Sequence, residues 1–330
     1  MSPEPSSLDR PSGSADLRAE GRGKAQQLPE SIGRLGTARI GILTIIDEEF
    51  DEVRRIFGAT VPVPDSPYYA FGSGSTDVVL RQMADRSNVP AALCAGRLIE
   101  DFRPELVIVT GIAGGIDGRE GVRPGDVVVP HYLHYAEFCR LDPPSKCERA
   151  VRALARMVGL PSSRPRRELH RYFAYDQPSV SLRESYVDGV RVDGEWTSAI
   201  SADRPEAGAP VVIVGSLVAG EKILGDPTHD WQRQVVEEFS DAVAIDMESI
   251  GVARAIHECR RDVGYNPRFL VVRGVSDLVR VREDAEDNRR ERGRWKRYAA
   301  CAAAAFAHRV GSRFLSSRDA RSNPMRSEGG

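Results

Sequence analysis

The chain has 330 residues, 41% hydrophobic and 28% charged, with a formal net charge of −2. A length of this order can bury a large core without disulfide or metal staples, and a charge so near zero excludes a global electrostatic footprint for a nucleic-acid polymer or a membrane surface. Five cysteines without Cys-x-x-Cys spacing, no apolar signal region in residues 1–22 and no apolar run near the roughly 18 residues of a membrane span lead us to expect a cytoplasmic protein.

Residues 1–37 are rich in Pro, Ser, Gly and charge, and the first aromatic residue is Phe50. Such a segment buries too little apolar surface to offset its ordering entropy, so a disordered N-terminal tail is expected. Ile40 to Ile46 is a β-branched apolar run that suits a strand buried on both faces. Asp47 to Phe57 reads as a helix, Val78 to Leu80 as a strand, and Pro90 to Phe102 as a helix with apolar residues three and four apart. Leu106 to Thr110 is a buried strand running into Gly111-Ile112-Ala113-Gly114-Gly115, and Asp126 to Pro130 is another. The stretch 135–210 is polar, basic and broken by Pro, and reads as an insertion with one helix at Ala150 to Val158. Regular order resumes with strands at Val211–Val214, Ala242–Ile245 and Phe269–Val272, a helix from Asp246 to Arg260, and an Ala-rich helix from Trp295 to Phe314. Residues 316–330 read as a second disordered tail. The alternation predicts a single layered α/β domain over 38–315, with a central mixed, largely parallel sheet flanked by helices.

In such sheets the ligand lies beyond the C-terminal ends of the strands. Those ends carry Asp47-Glu48-Glu49, the glycine run 111–115, Gly215 to Lys222, Asp246-Met247-Glu248 and Arg273-Gly274-Val275-Ser276-Asp277. Acidic residues at helix starts are often caps and dipole partners, which accounts for Asp246 or Asp47 taken singly. It does not account for Met247 between two acids, nor for Ser276-Asp277 after a buried strand with a glycine inserted.

The pieces Thr110 to Gly115, Gly125 to Val129, Ala244 to Ser249 and Val272 to Asp277, in that order, resemble the nucleoside phosphorylase/nucleosidase superfamily, and within it methylthioadenosine/S-adenosylhomocysteine nucleosidase. The resemblance covers about residues 39–315. It implies cleavage of the bond between a purine and its ribose, which requires a protonated leaving base, a grip on the ribose hydroxyls and an oriented water. By the same resemblance Asp277 protonates the base beside Ser276, Glu49 orients the water, Glu248 grips the ribose with Met247 packed against it, and Lys222 and Ile223 read the base edge. Ile112 and Gly114 belong to the substrate-binding glycine run, and Ile223 replaces a base-stacking aromatic. The reading calls for no metal and no cofactor, and the resemblance implies a homo-oligomer.

The first loop, Thr44 to Glu49, lacks the Gly-Asp-Pro and arginine with which phosphorylases hold phosphate, and its acids would repel phosphate, so water is the expected nucleophile. Two basic clusters, Arg164/Arg166/Arg167/Arg171 and Arg289/Arg290/Arg292/Arg294/Lys296/Arg297, are either solvated faces or sites for substrate phosphates, since Arg pairs bidentately with phosphate. The substrate is thus an adenine nucleoside or a nucleotide such as ATP. The chain also resembles nucleosidase-like effector modules of antiphage systems. A phosphate-dependent phosphorylase and a non-catalytic nucleotide sensor remain alternatives; the presence of Glu49, Glu248 and Asp277 together argues against the sensor. Gly215 to Lys222 fails as a P-loop because Glu221 stands where Lys is required. His131, His134 and Glu137 follow a strand, where alternating side chains would not converge on a metal. Cys94 reads as core.

Overall fold

The computed structural model describes residues 35–58, 60–71, 77–138, 146–158, 174–176, 182–261, 264–281 and 288–322. Residues 1–34 of the expected N-terminal tail, residues 323–330 of the expected C-terminal tail and the cluster from Arg164 to Arg171 lie outside the described residues. The strands are β1 (Ile40–Thr44), β2 (Thr60–Pro62), β3 (Tyr68–Phe71), β4 (Val78–Gln82), β5 (Leu106–Ile116), β6 (Val127–Tyr135), β7 (Ala174–Asp176), β8 (Val212–Ala219), β9 (Ala242–Asp246) and β10 (Arg268–Val279). The helices are α1 (Asp47–Phe57), α2 (Asn88–Phe102), α3 (Lys146–Met157), α4 (Asp188–Asp193), α5 (Asp230–Glu238), α6 (Ser249–Cys259) and α7 (Asn288–Ser322).

The strands form one mixed sheet in the order β10-β6-β8-β9-β5-β1-β4-β3-β2, with β7 on β6. Parallel pairing links β4, β1, β5 and β10 and also β6, β8 and β9; the short β2 and β3 add an antiparallel edge. Because β10 pairs with both β5 and β6, strands β5, β9, β8, β6 and β10 close into a ring. The central strands are apolar on both faces because helices cover both. On one face Ala91, Ala95, Leu98 and Phe102 of α2 pack with Val252, Ala253 and Ile256 of α6, and Cys94 is buried among them. On the other, Phe50 and Val53 of α1 pack with Trp295, Tyr298 and Phe306 of α7.

Ala299, Ala300 and Ala302 to Ala305 let α7 approach the sheet closely. A Cβ at Gly274 would lie 1.9 Å from the carbonyl oxygen of Ala299, so only glycine permits that approach. It seats α7 over the part of β10 that carries Arg273, Ser276 and Asp277.

Four expectations are corrected. The glycine run 111–115 and Ser276-Asp277 lie inside β5 and β10, not beyond them, because the two strands stay paired to Ile116 and Val279 with a bulge between Val275 and Asp277. Gly215 to Ala219 likewise continue β8 as extended strand. Helix α7 starts at Asn288 and runs to Ser322, past both the expected start at Trp295 and the expected end of the domain at 315. Its flanks are rich in Arg, which propagates a helix once it is nucleated, and the next proline is Pro324. Within 135–210 the structure adds β7, α4, a π-helical turn (Arg183–Val187) and a 3-10 turn (Glu195–Ala199); Trp196 packs on Phe306, so part of this stretch belongs to the core. Among the described residues no helix is long and apolar enough to cross a membrane.

Candidate active site

A cleft opens where the ends of β1, β5, β9 and β10 meet the N-terminal part of α7 and the turn before α2 that carries Arg86. Glu49, Ile112, Gly114, Lys222, Ile223, Met247, Glu248 and Ser276, all expected site residues, line it.

Glu49 is the third residue of α1 and only 3% exposed. Its side chain folds back on the helix start: Oε2 accepts from the N–H of Ile45 at 2.7 Å and of Ile46 at 3.1 Å, while Oε1 accepts from Ile112 N–H of β5 at 2.8 Å. Helix capping therefore fixes the carboxylate over the glycine run. Burial pushes its pKa up, against the pull of Arg273 and the three N–H groups.

Arg273 lies wholly buried beneath the cleft. Its Nε and Nη2 reach Asp246 Oδ2 at 2.8 and 2.7 Å, and Nη2 reaches Glu248 Oε2 at 3.3 Å. Burial works against its charge, but Asp246, Glu248 and Glu49 outweigh that and hold the guanidinium protonated. Its Nη1 has no hydrogen-bond partner among the described residues. A Cβ at Gly111 would lie 2.5 Å from Glu49 Oε1 and 2.6 Å from Arg273 Nη1, so glycine keeps open the space that this carboxylate and donor share. A carboxylate and a spare donor at one spot can hold and orient a water.

Asp246 is the structural member of its motif. It caps α6, accepting from Ser249 N–H at 3.3 Å and from the Ser249 hydroxyl, and it anchors Arg273. Glu248 faces the cleft and accepts from Ser87 N–H at 3.3 Å. Burial, with Asp246 and Glu49 nearby, pushes its pKa up to about 7 despite Arg273. Asp47 accepts from Gln82 at 2.8 Å on an exposed face.

Asp277 does not line the cleft. It is fully buried behind it, and the cleft wall at this point is Gly114, Ser276 and Arg292. Arg292 clasps it through Nε to Oδ1 at 2.9 Å and Nη2 to Oδ2 at 3.0 Å, and the Ser276 hydroxyl donates to Oδ1 at 2.6 Å. So Glu49 and Glu248 face one space, while Asp277 reaches it only where Arg292 gives way.

Lys222 is held by both oxygens of Glu137 at 2.6 Å and lies over the Trp231 ring. His134 pairs with Asp241 at 3.0 Å, so His134 and Glu137 turn to separate partners, and the described residues contain no group of three or more potential metal ligands.

Arg273 and Arg86 were given no role by the sequence, whereas Arg292 and Lys296 belong to its second basic cluster. Arg273 was legible: a charge within an otherwise apolar strand signals a buried ion pair. Arg292 and Lys296 line the cleft from α7 and Arg86 from the turn before α2; their charges were visible, but their positions follow from the helix docking.

The model of the phosphorylase superfamily matches residues 39–312. A 5′-methylthioadenosine/S-adenosylhomocysteine nucleosidase of Staphylococcus haemolyticus is 23% identical over 224 residues, 68% of this chain and 78% of that protein. A crystal structure of the nucleosidase of that name from Neisseria meningitidis, in complex with methylthio-immucillin-A, superposes with a TM-score of 0.57 at 18% identity, covering 83% of this chain and 98% of that one. The native structure of futalosine hydrolase from Helicobacter pylori strain 26695 gives 0.57 at 17% identity, covering 84% and 97%. These likenesses agree with the sheet, the motif order and the cleft: the chain belongs to the phosphorylase superfamily.

Proposed function

We propose that the chain hydrolyses the N-glycosidic bond of an adenine nucleoside or nucleotide. The observation that carries this reading is the joint placement of Glu49 and Glu248 on one cleft, with Arg273 buried beneath it and Asp277 behind its wall. Glu248 accepts hydrogen bonds from the ribose hydroxyls, and Met247 packs beside the sugar. Asp277 gives its proton to the purine as the bond from C1′ to N9 breaks and its electron pair leaves with the base. Water held between Glu49 and Arg273 Nη1 attacks C1′ and loses its proton to Glu49. Free base and ribose, or ribose phosphate, are the products, and no metal or cofactor takes part.

Lys222 and Ile223 border the base; Ile223 is 55% exposed and offers an aliphatic surface in place of an aromatic ring. The defence role and the cytoplasmic location rest on the resemblance and composition given above. The same resemblance underlies a proposed homo-oligomer.

The test is chromatographic detection of adenine from ATP, AMP, adenosine and S-adenosylhomocysteine, with and without inorganic phosphate. Phosphate-independent release from at least one substrate is expected. Release that requires phosphate would make the protein a phosphorylase, and binding without release would make it a sensor.

A further inference from the structure

We infer that Arg292 is a substrate-operated latch on Asp277: a phosphoryl group of a nucleotide draws Arg292 off Asp277, which then takes up the proton it delivers to the base. The inference rests on the hydrolase reading above and names its substrate class as nucleotides.

The latch is closed in this structure. Both oxygens of Asp277 accept hydrogen bonds from Arg292, so in this arrangement neither oxygen is free to face a base. Yet the Arg292 side chain is 34% exposed and lines the cleft, whereas Asp277 is 0% exposed. One face of the guanidinium is therefore within reach of a ligand.

The helix turn that carries Arg292 does not depend on this ion pair. The neighbouring Glu291 is buried and accepts from Leu278 N–H at 2.8 Å and from both terminal nitrogens of Arg280 at 2.9 and 2.8 Å. Arg292 can swing while Glu291 keeps α7 on β10.

The chemistry of exchange follows. A phosphate matches the guanidinium fork as well as a carboxylate does and carries more charge. Arg86 and Lys296 line the same cleft and add positive charge beside Arg292; Lys296 pairs with Glu48. Arg86 makes no ion pair among the described residues. Once Arg292 leaves, both Asp277 oxygens have lost their guanidinium partner, and one of them is open to carry the proton for the base. The Ser276 hydroxyl stays to orient it. One proton from solvent enters Asp277, passes to the base, and leaves a carboxylate that Arg292 recaptures when the phosphorylated product departs. A neutral nucleoside carries no anion to open the latch.

The test compares wild type with Arg292→Gln on AMP and adenosine, reading kcat and KM separately. The expected wild type turns over AMP at least tenfold faster than adenosine in kcat. In Arg292→Gln the AMP rate falls and its KM rises, while the adenosine kcat increases several-fold, so the preference collapses. Arg292→Lys, which keeps the charge but cannot close on both oxygens, should retain AMP binding by calorimetry and also gain on adenosine. The inference is overturned if either variant lowers both substrates in the same ratio, or if wild type prefers adenosine in kcat. Base release from adenosine alone would leave the hydrolase reading standing and remove the latch; release from neither compound, with none from ATP or S-adenosylhomocysteine, would remove both.

Discussion

The guanidinium of Arg273 lies 3.3 Å from the carboxylate of Glu248 and yet fails to hold it at an ordinary pKa. Burial, aided by Asp246 and Glu49, lifts Glu248 from 4.5 to about 7. A carboxyl whose pKa is raised in the folded state stabilises the fold below its unfolded value and loses that contribution as pH rises through the folded value. Stability should thus fall between pH 5 and 8, by an amount on the order of 3 kcal/mol if the whole shift counts. Glu49, shifted in the same direction, adds to the fall. Asp241, held down at about 2, acts with the opposite sign, but only at pH values below the ordinary carboxylate range. Ligand binding should run the other way: ribose hydroxyls donate to the ionised form, so nucleoside affinity increases as pH rises through 7. Thermal unfolding and calorimetric titration at pH 5.5, 7 and 8 would check both trends, and Glu248→Gln should flatten each. A melting temperature that climbed across this range in wild type would contradict the assignment.

Gly111 offers a test of the space between Glu49 and Arg273. An added methyl would sit within 2.6 Å of charged atoms of both side chains, and both are buried and tied to the backbone or to other charges. Neither can withdraw cheaply. Gly111→Ala should cost about 1–3 kcal/mol in denaturant unfolding. It should also lower kcat by about a hundredfold, because the water site between acceptor and donor is filled. Gly96, a helical position on α2 with nothing within 4 Å of an added Cβ, is the control. Gly96→Ala should stabilise by about 0.5–1 kcal/mol with unchanged turnover. Equal behaviour of the two variants would mean that the space at Gly111 carries no function.

The parts legible in the sequence were those encoded by local pattern. The β-branched run at Ile40, the spacing of Ala91, Ala95 and Leu98, and the order of the four motifs all survive in the structure. The site residues after β1, within β5 and after β9 were found because each follows an apolar run. What the sequence hid was long-range. Gly274 reads as a break in a strand until Ala299 is seen above it, and Arg292 reads as one charge among several until α7 is docked on β10. The place of Asp277 behind the cleft wall was not legible, because it depends on the bulge at Ser276, which shifts the strand by one register. The edge strands β2 and β3 are too short for periodicity to register them.

Asp277→Asn separates the proton donor from the scaffold. Asparagine keeps the shape, still accepts from Ser276 or Arg292 through its carbonyl, and cannot supply the acidic proton. Turnover should drop by roughly 10²–10⁴-fold, the range typical of a general acid. Adenine binding by calorimetry and the melting temperature should stay close to wild type. Turnover within a few-fold of wild type would show that protonation of the base comes from elsewhere.

Ser87 holds the last lever on the site. It is a non-glycine residue at φ 97° and ψ 158°, a region that side chains with a Cβ avoid, and its N–H is one of the groups that grips Glu248. Such backbone strain costs about 1–3 kcal/mol. Ser87→Gly releases it but adds about 0.5–1 kcal/mol of unfolded-state entropy, leaving a net gain near 1 kcal/mol. In a domain of this size that should raise the melting temperature by about 2 °C. The freed turn would hold Glu248 less firmly, so KM should rise several-fold with kcat little changed. Because the Ser87 hydroxyl makes no capping bond, Ser87→Ala keeps the strained backbone and should leave both stability and KM near wild type. If Ser87→Ala instead reproduced the glycine variant, the hydroxyl rather than the backbone would be what this position contributes.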